Sequence, residues 1–144
     1  MRRMSFVAEA SIRLDVPPDV AFDRLANYAS WRDWMPRTFR PASSQSTLQK
    51  GDRLKVKIGG MPFATPIEVY VVERAREITW GGGIPQVITA RHRFLFEAEG
   101  TGTRVRSVET WEGPMDRLLK PVIKPLAERL GRDQLGALER AVRS

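Results

Sequence analysis

His92 is the only imidazole in the chain, and there is no cysteine. A multi-histidine metal centre, a thiolate zinc site, a thiol nucleophile and a disulfide framework are therefore excluded. Any imidazole base must be this residue. Spacing suggests a carboxylate partner for it. Ile88, Ala90, His92, Phe94, Phe96 and Ala98 alternate along one run, Val105, Ser107, Glu109 and Trp111 alternate along the next, and Glu99-Gly-Thr-Gly102 separates them. A tight turn centred between Gly100 and Thr101 pairs Phe96 with Val105, Phe94 with Ser107 and His92 with Glu109. Opposed residues have Cβ atoms roughly 4.5–5.5 Å apart, so imidazole and carboxylate meet on a face shared with Phe94, Phe96 and Trp111. That is an acid–base pair or ligand anchor in an apolar pocket. It is equally the way a sheet satisfies a buried histidine that has no chemistry to do, and the residues leave both readings open. Of the two effects acting on His92, the facing carboxylate is expected to outweigh burial and hold its pKa above about 6.5.

The opposite face of this predicted hairpin gathers Arg91, Arg93, Arg104 and Arg106, with Glu97 across from Arg104. Such a cluster can hold phosphates or an acidic partner, or simply form the solvated outside of a basic protein. The net charge of +7 comes from 24 Lys and Arg against 17 Asp and Glu. The basic residues are spread along the chain and mixed with acids, and the aromatics lie on the other face of the hairpin. Specific nucleic-acid binding is therefore not expected, and only weak contact with anionic surfaces is.

The elements that must position His92 and Glu109 follow from periodicity. Phe6 to Val16 alternates as a half-buried strand, and Pro17-Pro18-Asp19 ends it and opens a short helix over 18–27. A further helical turn carries Trp31 and Trp34 on one face before Pro36 stops it. Thr38 to Thr47 holds one irregular strand. Leu54 to Ile58 and Ile67 to Val72 form a hairpin about Gly59-Gly60-Met61-Pro62. Glu73 to Glu77 turns into Ile78-Thr79-Trp80, Gly81-Gly-Gly-Ile-Pro85 reads as a flexible link, and the face of Tyr70 relative to Trp80 depends on a register the sequence does not fix. Beyond Gly113-Pro114 the chain reads as helix, with Leu119, Val122, Ile123, Leu126, Leu130, Leu138 and Val142 along a stripe and with Pro121 and Pro125 kinking or dividing its start.

At 144 residues this is one domain, 1–144, of the α+β class. It consists of a curved antiparallel sheet of about seven strands around a long C-terminal helix, with two short helices after the first strand. Arg2-Arg3 is followed by no apolar leader segment, and no stretch approaches the ~20 apolar residues of a membrane span, so a cytoplasmic location is expected.

The order and spacing of Val16-Pro17-Pro18-Asp19-Val20-Ala21-Phe22, Trp34-Met35-Pro36, Trp80-Gly81, His92-Arg-Phe94-Leu-Phe96, Gly102-Thr103-Arg104-Val105 and Glu109-Thr-Trp111-Glu-Gly113 resemble the START-like superfamily, also called SRPBCC or polyketide cyclase-like. The likeness runs over nearly the whole chain. It implies a helix-grip fold with an internal cavity for a lipid, polyketide, quinone or sterol-like molecule, with no metal and no tightly held cofactor. A ligand cavity is expected to measure roughly 300–1,000 Å³. The residues expected to face the ligand are Trp34, Trp80, His92, Phe94, Phe96, Ser107, Glu109, Trp111, Val122, Leu126 and Leu130. Simple binding is the first expectation. The alternative is a cyclase or dehydratase in which His92 and Glu109 move protons while the cavity folds the substrate.

Overall fold

The computed structural model describes residues 5–42, 46–59 and 63–143. Arg2-Arg3 and the predicted turn residues Gly60 to Pro62 lie outside them. Seven strands form one antiparallel sheet: β1 (Ser5–Leu14), β2 (Phe39–Pro41), β3 (Arg53–Ile58), β4 (Thr65–Glu73), β5 (Glu77–Ile84), β6 (Ile88–Glu99) and β7 (Gly102–Glu112). Their spatial order is β1-β7-β6-β5-β4-β3-β2. Only β1 leaves sequence order, because α1 (Pro18–Ala26), a 3₁₀ turn (Tyr28–Ser30) and α2 (Trp31–Trp34) carry the chain from one sheet edge to the other. The last helix, α3 (Asp116–Arg143), packs mainly on β1 and β7. This is the helix-grip architecture.

The core lies between sheet and helices, and Trp31 anchors it. This indole is fully buried and donates from Nε1 to the Leu25 carbonyl at 2.8 Å. Its ring meets Tyr28, Phe39 and Trp80 at centroid separations of 4.8, 5.8 and 5.2 Å. The short helices thus clamp the strand that carries Trp80, and these ring contacts add to the large apolar area each aromatic removes from water.

One expectation about the backbone is revised, and two points the sequence leaves open are decided. Gly81 to Gly83 is no flexible link, since β5 runs through it to Ile84 and pairs Gly81 with Arg91, Gly82 with Ala90 and Gly83 with Thr89. Side chains are absent there because there is no room. A Cβ on Gly81 would lie 2.5 Å from the Ala90 carbonyl oxygen, and one on Gly82 2.8 Å from the Pro66 carbonyl oxygen. The register that could not be fixed is settled by an irregularity between Val69 and Val71, which leaves Tyr70 on the outer face beneath the Arg91 guanidinium (4.2 Å) and Trp80 in the core.

Neither Pro121 nor Pro125 divides α3, although each removes one helix hydrogen bond. The expected apolar stripe does change its surroundings along the helix. An i+4 step turns a helical position by about 40°, so the row Leu118, Val122, Leu126, Leu130, Gln134, Leu138 winds from solvent to core. Leu118, Val122 and Leu126 are 69%, 62% and 62% exposed, whereas Gln134 and Leu138 are buried. The small residues Ala127 and Gly131 let the later half of the helix lie close on the sheet.

Candidate functional site

β6 and β7 pair in the register read from the sequence, with His92 opposite Glu109, Phe94 opposite Ser107 and Phe96 opposite Val105. The side chains meet as the register requires. His92 Nε2 lies 2.6 Å from Ser107 Oγ, and His92 Nδ1 lies 3.4 Å from Glu109 Oε2. The ring is sandwiched: Phe94 stacks on it at 4.3 Å between centroids and Trp80 meets it edge-on at 5.5 Å. Ser107 is small because α3 crosses directly above it. A Cβ on Gly131 would stand 3.1 Å from Ser107 Oγ.

Burial decides the protonation of this pair, against the expectation from charge pairing alone. His92 is 4% exposed and Glu109 8%. Desolvation pushes the imidazole pKa down to about 3 and the carboxyl pKa up to about 7. The neutral forms win because an apolar shell of Phe94, Trp80 and Trp111 supplies too little to replace the water lost by either charge. The expectation that Glu109 would raise the His92 pKa is corrected: a carboxyl that is itself neutral supplies no attractive charge. Ser107 Oγ can accept from or donate to Nε2, so the contact satisfies either tautomer of the neutral ring.

Next to this pair is a chamber of about 120 Å³, partly open to solvent. Trp80, His92, Glu109, Trp111 and Leu130 line it, together with Phe39, Ile58, Thr65, Ile67, Ala90 and the Gly81 to Gly83 backbone. It is smaller than the range expected of a ligand site, because Phe39 and Trp80, stacked at 6.0 Å, fill the space from the β2 side. Its wall is apolar except for a few polar groups. The Trp111 indole N–H is near enough to Glu109 to offset part of the rise in its pKa, yet Nε1 is buried with no acceptor at hydrogen-bonding geometry. One turn beyond Leu130, both amide atoms of buried Gln134 also lack partners.

The residues singled out from sequence divide into three groups. Trp80, His92, Glu109, Trp111 and Leu130 reach the chamber. Phe94, Phe96 and Ser107 are buried behind it, with Phe96 edge-on to Phe22 at 5.5 Å. Trp34 is half-buried, donating to Ser30 Oγ at 2.9 Å away from the chamber, and Val122 and Leu126 are turned to solvent by the helical rotation described above. The sequence reading missed Phe39, Ile58, Ile67 and the three glycines. Ile58 and Ile67 stand at inward positions of the predicted hairpin, and that alternation was the available signal. A glycine run gives no comparable sign of belonging to a pocket wall.

The outer arginines are individually engaged. Arg93 bonds Glu77 and Arg104 bonds Glu99 through two nitrogens each, Arg106 lies 3.9 Å from Glu9, and Arg91 covers Tyr70. Arg104 thus pairs with Glu99 rather than with Glu97, its neighbour in the register. No group of three potential metal ligands occurs among the described residues, and none of their helices is long and apolar enough to cross a membrane.

A curled seven-stranded sheet gripping a long helix over a small chamber is the form of a helix-grip ligand-binding domain. The chain belongs to the polyketide cyclase/dehydrase and lipid transport family, whose model matches residues 5–143. No curated protein matches it in sequence. Among solved structures it is similar to KanY (ms6282), at 15% identity and TM-score 0.77 over the whole of both chains. It is also similar to a norcoclaurine synthase from Thalictrum in complex with a transition-state analogue, at 12% identity and TM-score 0.73, covering 99% of this chain and 96% of that one. Ara h 8.0201 follows at 13% identity and TM-score 0.67, covering 96% and 98%. At these identities the likeness shows the fold.

Proposed function

We propose that the protein binds a small, mostly apolar molecule bearing one carbonyl or hydroxyl oxygen, with that oxygen between the Glu109 carboxyl and the Trp111 indole N–H. The observation that carries this reading is the unpartnered Trp111 donor beside a neutral carboxyl in an apolar chamber. An unused buried donor costs about 1–3 kcal/mol, and a ligand oxygen would recover it. Family membership supports a hydrophobic ligand in general terms. The size of the chamber narrows the choice: an apolar cavity of ~150 Å³ accommodates benzene, so about 120 Å³ suits one ring or one chain end. A lipid, quinone or polyketide would insert one end and leave the rest at the mouth.

A second reading is favoured by the same pair. A carboxyl of pKa about 7, 3.4 Å from a neutral imidazole, is poised to give and take a proton at neutral pH. Glu109 would take a proton from substrate as the carboxylate and return it as the carboxylic acid, with the neutral His92 ring beside it holding the carboxyl in place.

Acetophenone tests both readings. Ligand-observed NMR should report saturable binding that Trp111→Phe weakens by about an order of magnitude, the effect of one lost hydrogen bond. Binding without loss of the methyl protons to deuterium in heavy water supports the first reading alone. Exchange that disappears in Glu109→Gln while binding persists supports the second. No binding of acetophenone, cyclohexanone or phenol would refute both.

A further inference from the structure

Five of the seven large apolar residues left in solvent among the described residues lie on the first half of α3 or beside β4 and β5. Leu118, Val122 and Leu126 form an exposed row on the first half of α3, and Ile84 and Phe63 are 61% and 58% exposed. The backbone brings them together. Met115 N donates to the Val87 carbonyl at 3.2 Å, and Val87 N donates to the Ile84 carbonyl at 3.0 Å, which ties the start of α3 to the β5–β6 turn. Glu68 opposes Gly81, and the same register carried along β4 and β5 brings Thr65, two residues beyond Phe63, beside Ile84. Gly83 and Thr65 line the chamber beside Ile84 and two residues from Phe63, and Leu130 lines it one turn beyond Leu126.

The charge of this rim has one sign. Arg117, Lys120 and Lys124 lie among the apolar residues, and no Asp or Glu occurs from 117 to 127. None of the three cations forms an ion pair among the described residues, in contrast to Arg93 and Arg104 on the outer sheet face. Asp116, the acid directly before them, is buried and accepts the Arg117 backbone N–H. Exposed leucine and valine at helical spacing, flanked by unpaired lysines whose alkyl stems can lie along an apolar surface, is the pattern of a helix that rests in a lipid–water interface. The unpaired cations of this face call for an anionic surface rather than for a partner of mixed charge.

We infer that the rim formed by Phe63, Ile84, Leu118, Val122 and Leu126, with Arg117, Lys120 and Lys124, docks the protein on an anionic lipid surface with the chamber mouth facing the bilayer. Docking itself follows from the rim. Its use to load an apolar ligand from the bilayer rests on the binding reading above.

Pelleting with vesicles of phosphatidylcholine, with and without phosphatidylglycerol, tests the docking. Three basic residues near an anionic surface should raise binding at least tenfold over neutral vesicles. Lys120→Glu/Lys124→Glu should remove that difference, and Leu118→Ser/Val122→Ser/Leu126→Ser should reduce binding to all vesicles. Leu118, Lys120, Val122 and Leu126 are solvent-exposed and Lys124 is half-buried, and none lines the chamber, so circular dichroism and acetophenone binding in solution should match wild type. Loss of vesicle binding with acetophenone binding intact confirms docking as a separate property, and docking by a protein that binds no acetophenone overturns the loading role alone. Failure to bind anionic vesicles overturns the proposal, as does vesicle binding that both variants retain. A solution dimer that the triple serine variant dissociates, with no vesicle binding, assigns the face to a second copy. Retention on a soluble acidic polypeptide without vesicle binding assigns it to an acidic protein.

Discussion

Replacing Glu109 by Gln removes an ionisable proton and almost nothing else, and the consequence for stability can be worked out with its sign. Burial raises the Glu109 pKa from 4.5 to about 7. A folded state that holds this proton over that interval binds more protons than the unfolded chain, so its stability falls as pH rises from 4.5 and levels off above 7. A shift of about 2.5 units at ~1.36 kcal/mol per unit amounts to about 3 kcal/mol. His92 works in the opposite direction. Its pKa falls from 6.5 to about 3, the unfolded chain binds the extra proton, and stability rises with pH between those values. From about pH 4.5 to 6.5 the two slopes oppose each other, which hides both in the wild type.

Urea denaturation across pH 3 to 8 should separate them. The stability of Glu109→Gln minus that of wild type should be flat below about pH 4.5, climb by about 3 kcal/mol up to pH 7, and be flat above. His92→Gln should give the mirror trend, an advantage over wild type at pH 3 that vanishes by pH 6.5. The other ionisable groups are common to all three proteins and drop out of the differences. An ion pair of carboxylate and imidazolium would reverse the signs: Glu109→Gln would lose stability relative to wild type as pH rises, and NMR would find the single imidazole protonated at pH 6. Either result would refute the dominance of burial over charge pairing.

Ser107→Ala should destabilise by about 1–3 kcal/mol by leaving a buried imidazole nitrogen without its partner. Gly131→Ala should be neutral or destabilising in the wild type, because the new methyl group presses on Ser107 Oγ, but stabilising by about 1 kcal/mol in Ser107→Ala, where the contact is gone and alanine favours the helix. Hydrogen exchange should be faster in 116–126 than in 128–140, since buried side chains are concentrated in the later half of α3 and two prolines thin the hydrogen bonds of the first. Leu130→Trp should fill the chamber and abolish acetophenone binding.

The parts of this molecule that could be read from the chain are those with a local cause. The pairing of His92 with Glu109 follows from alternation and one tight turn, and it fixed the site's centre. Prolines 17 and 18 and the run to Phe22 likewise marked α1 without tertiary information. The errors arise where distant packing decides. Periodicity finds an apolar row on α3 but not which turn of it meets the sheet, and that depends on Gly131 fitting over Ser107. The glycine run reads as a break because strands seldom contain one, whereas here the Ala90 and Pro66 carbonyls approach so closely that nothing larger fits.

The same limit governs the chemistry. A charged pair in the sequence suggests attraction, yet the sequence carries no measure of how completely Phe94, Trp80 and Trp111 exclude water from it. That exclusion disfavours the charged form of each group, so the His92 pKa falls and the Glu109 pKa rises. It also makes the apolar wall, as much as the two polar side chains, responsible for a carboxyl that can donate a hydrogen bond at neutral pH. Trp80→Ala should therefore act on Glu109 through space. Opening that wall to water should lower the carboxyl pKa from about 7 toward 4.5. ¹³C NMR of the labelled carboxyl can follow the titration without any ligand. A Glu109 pKa unmoved by opening the wall would mean that something other than desolvation holds the proton.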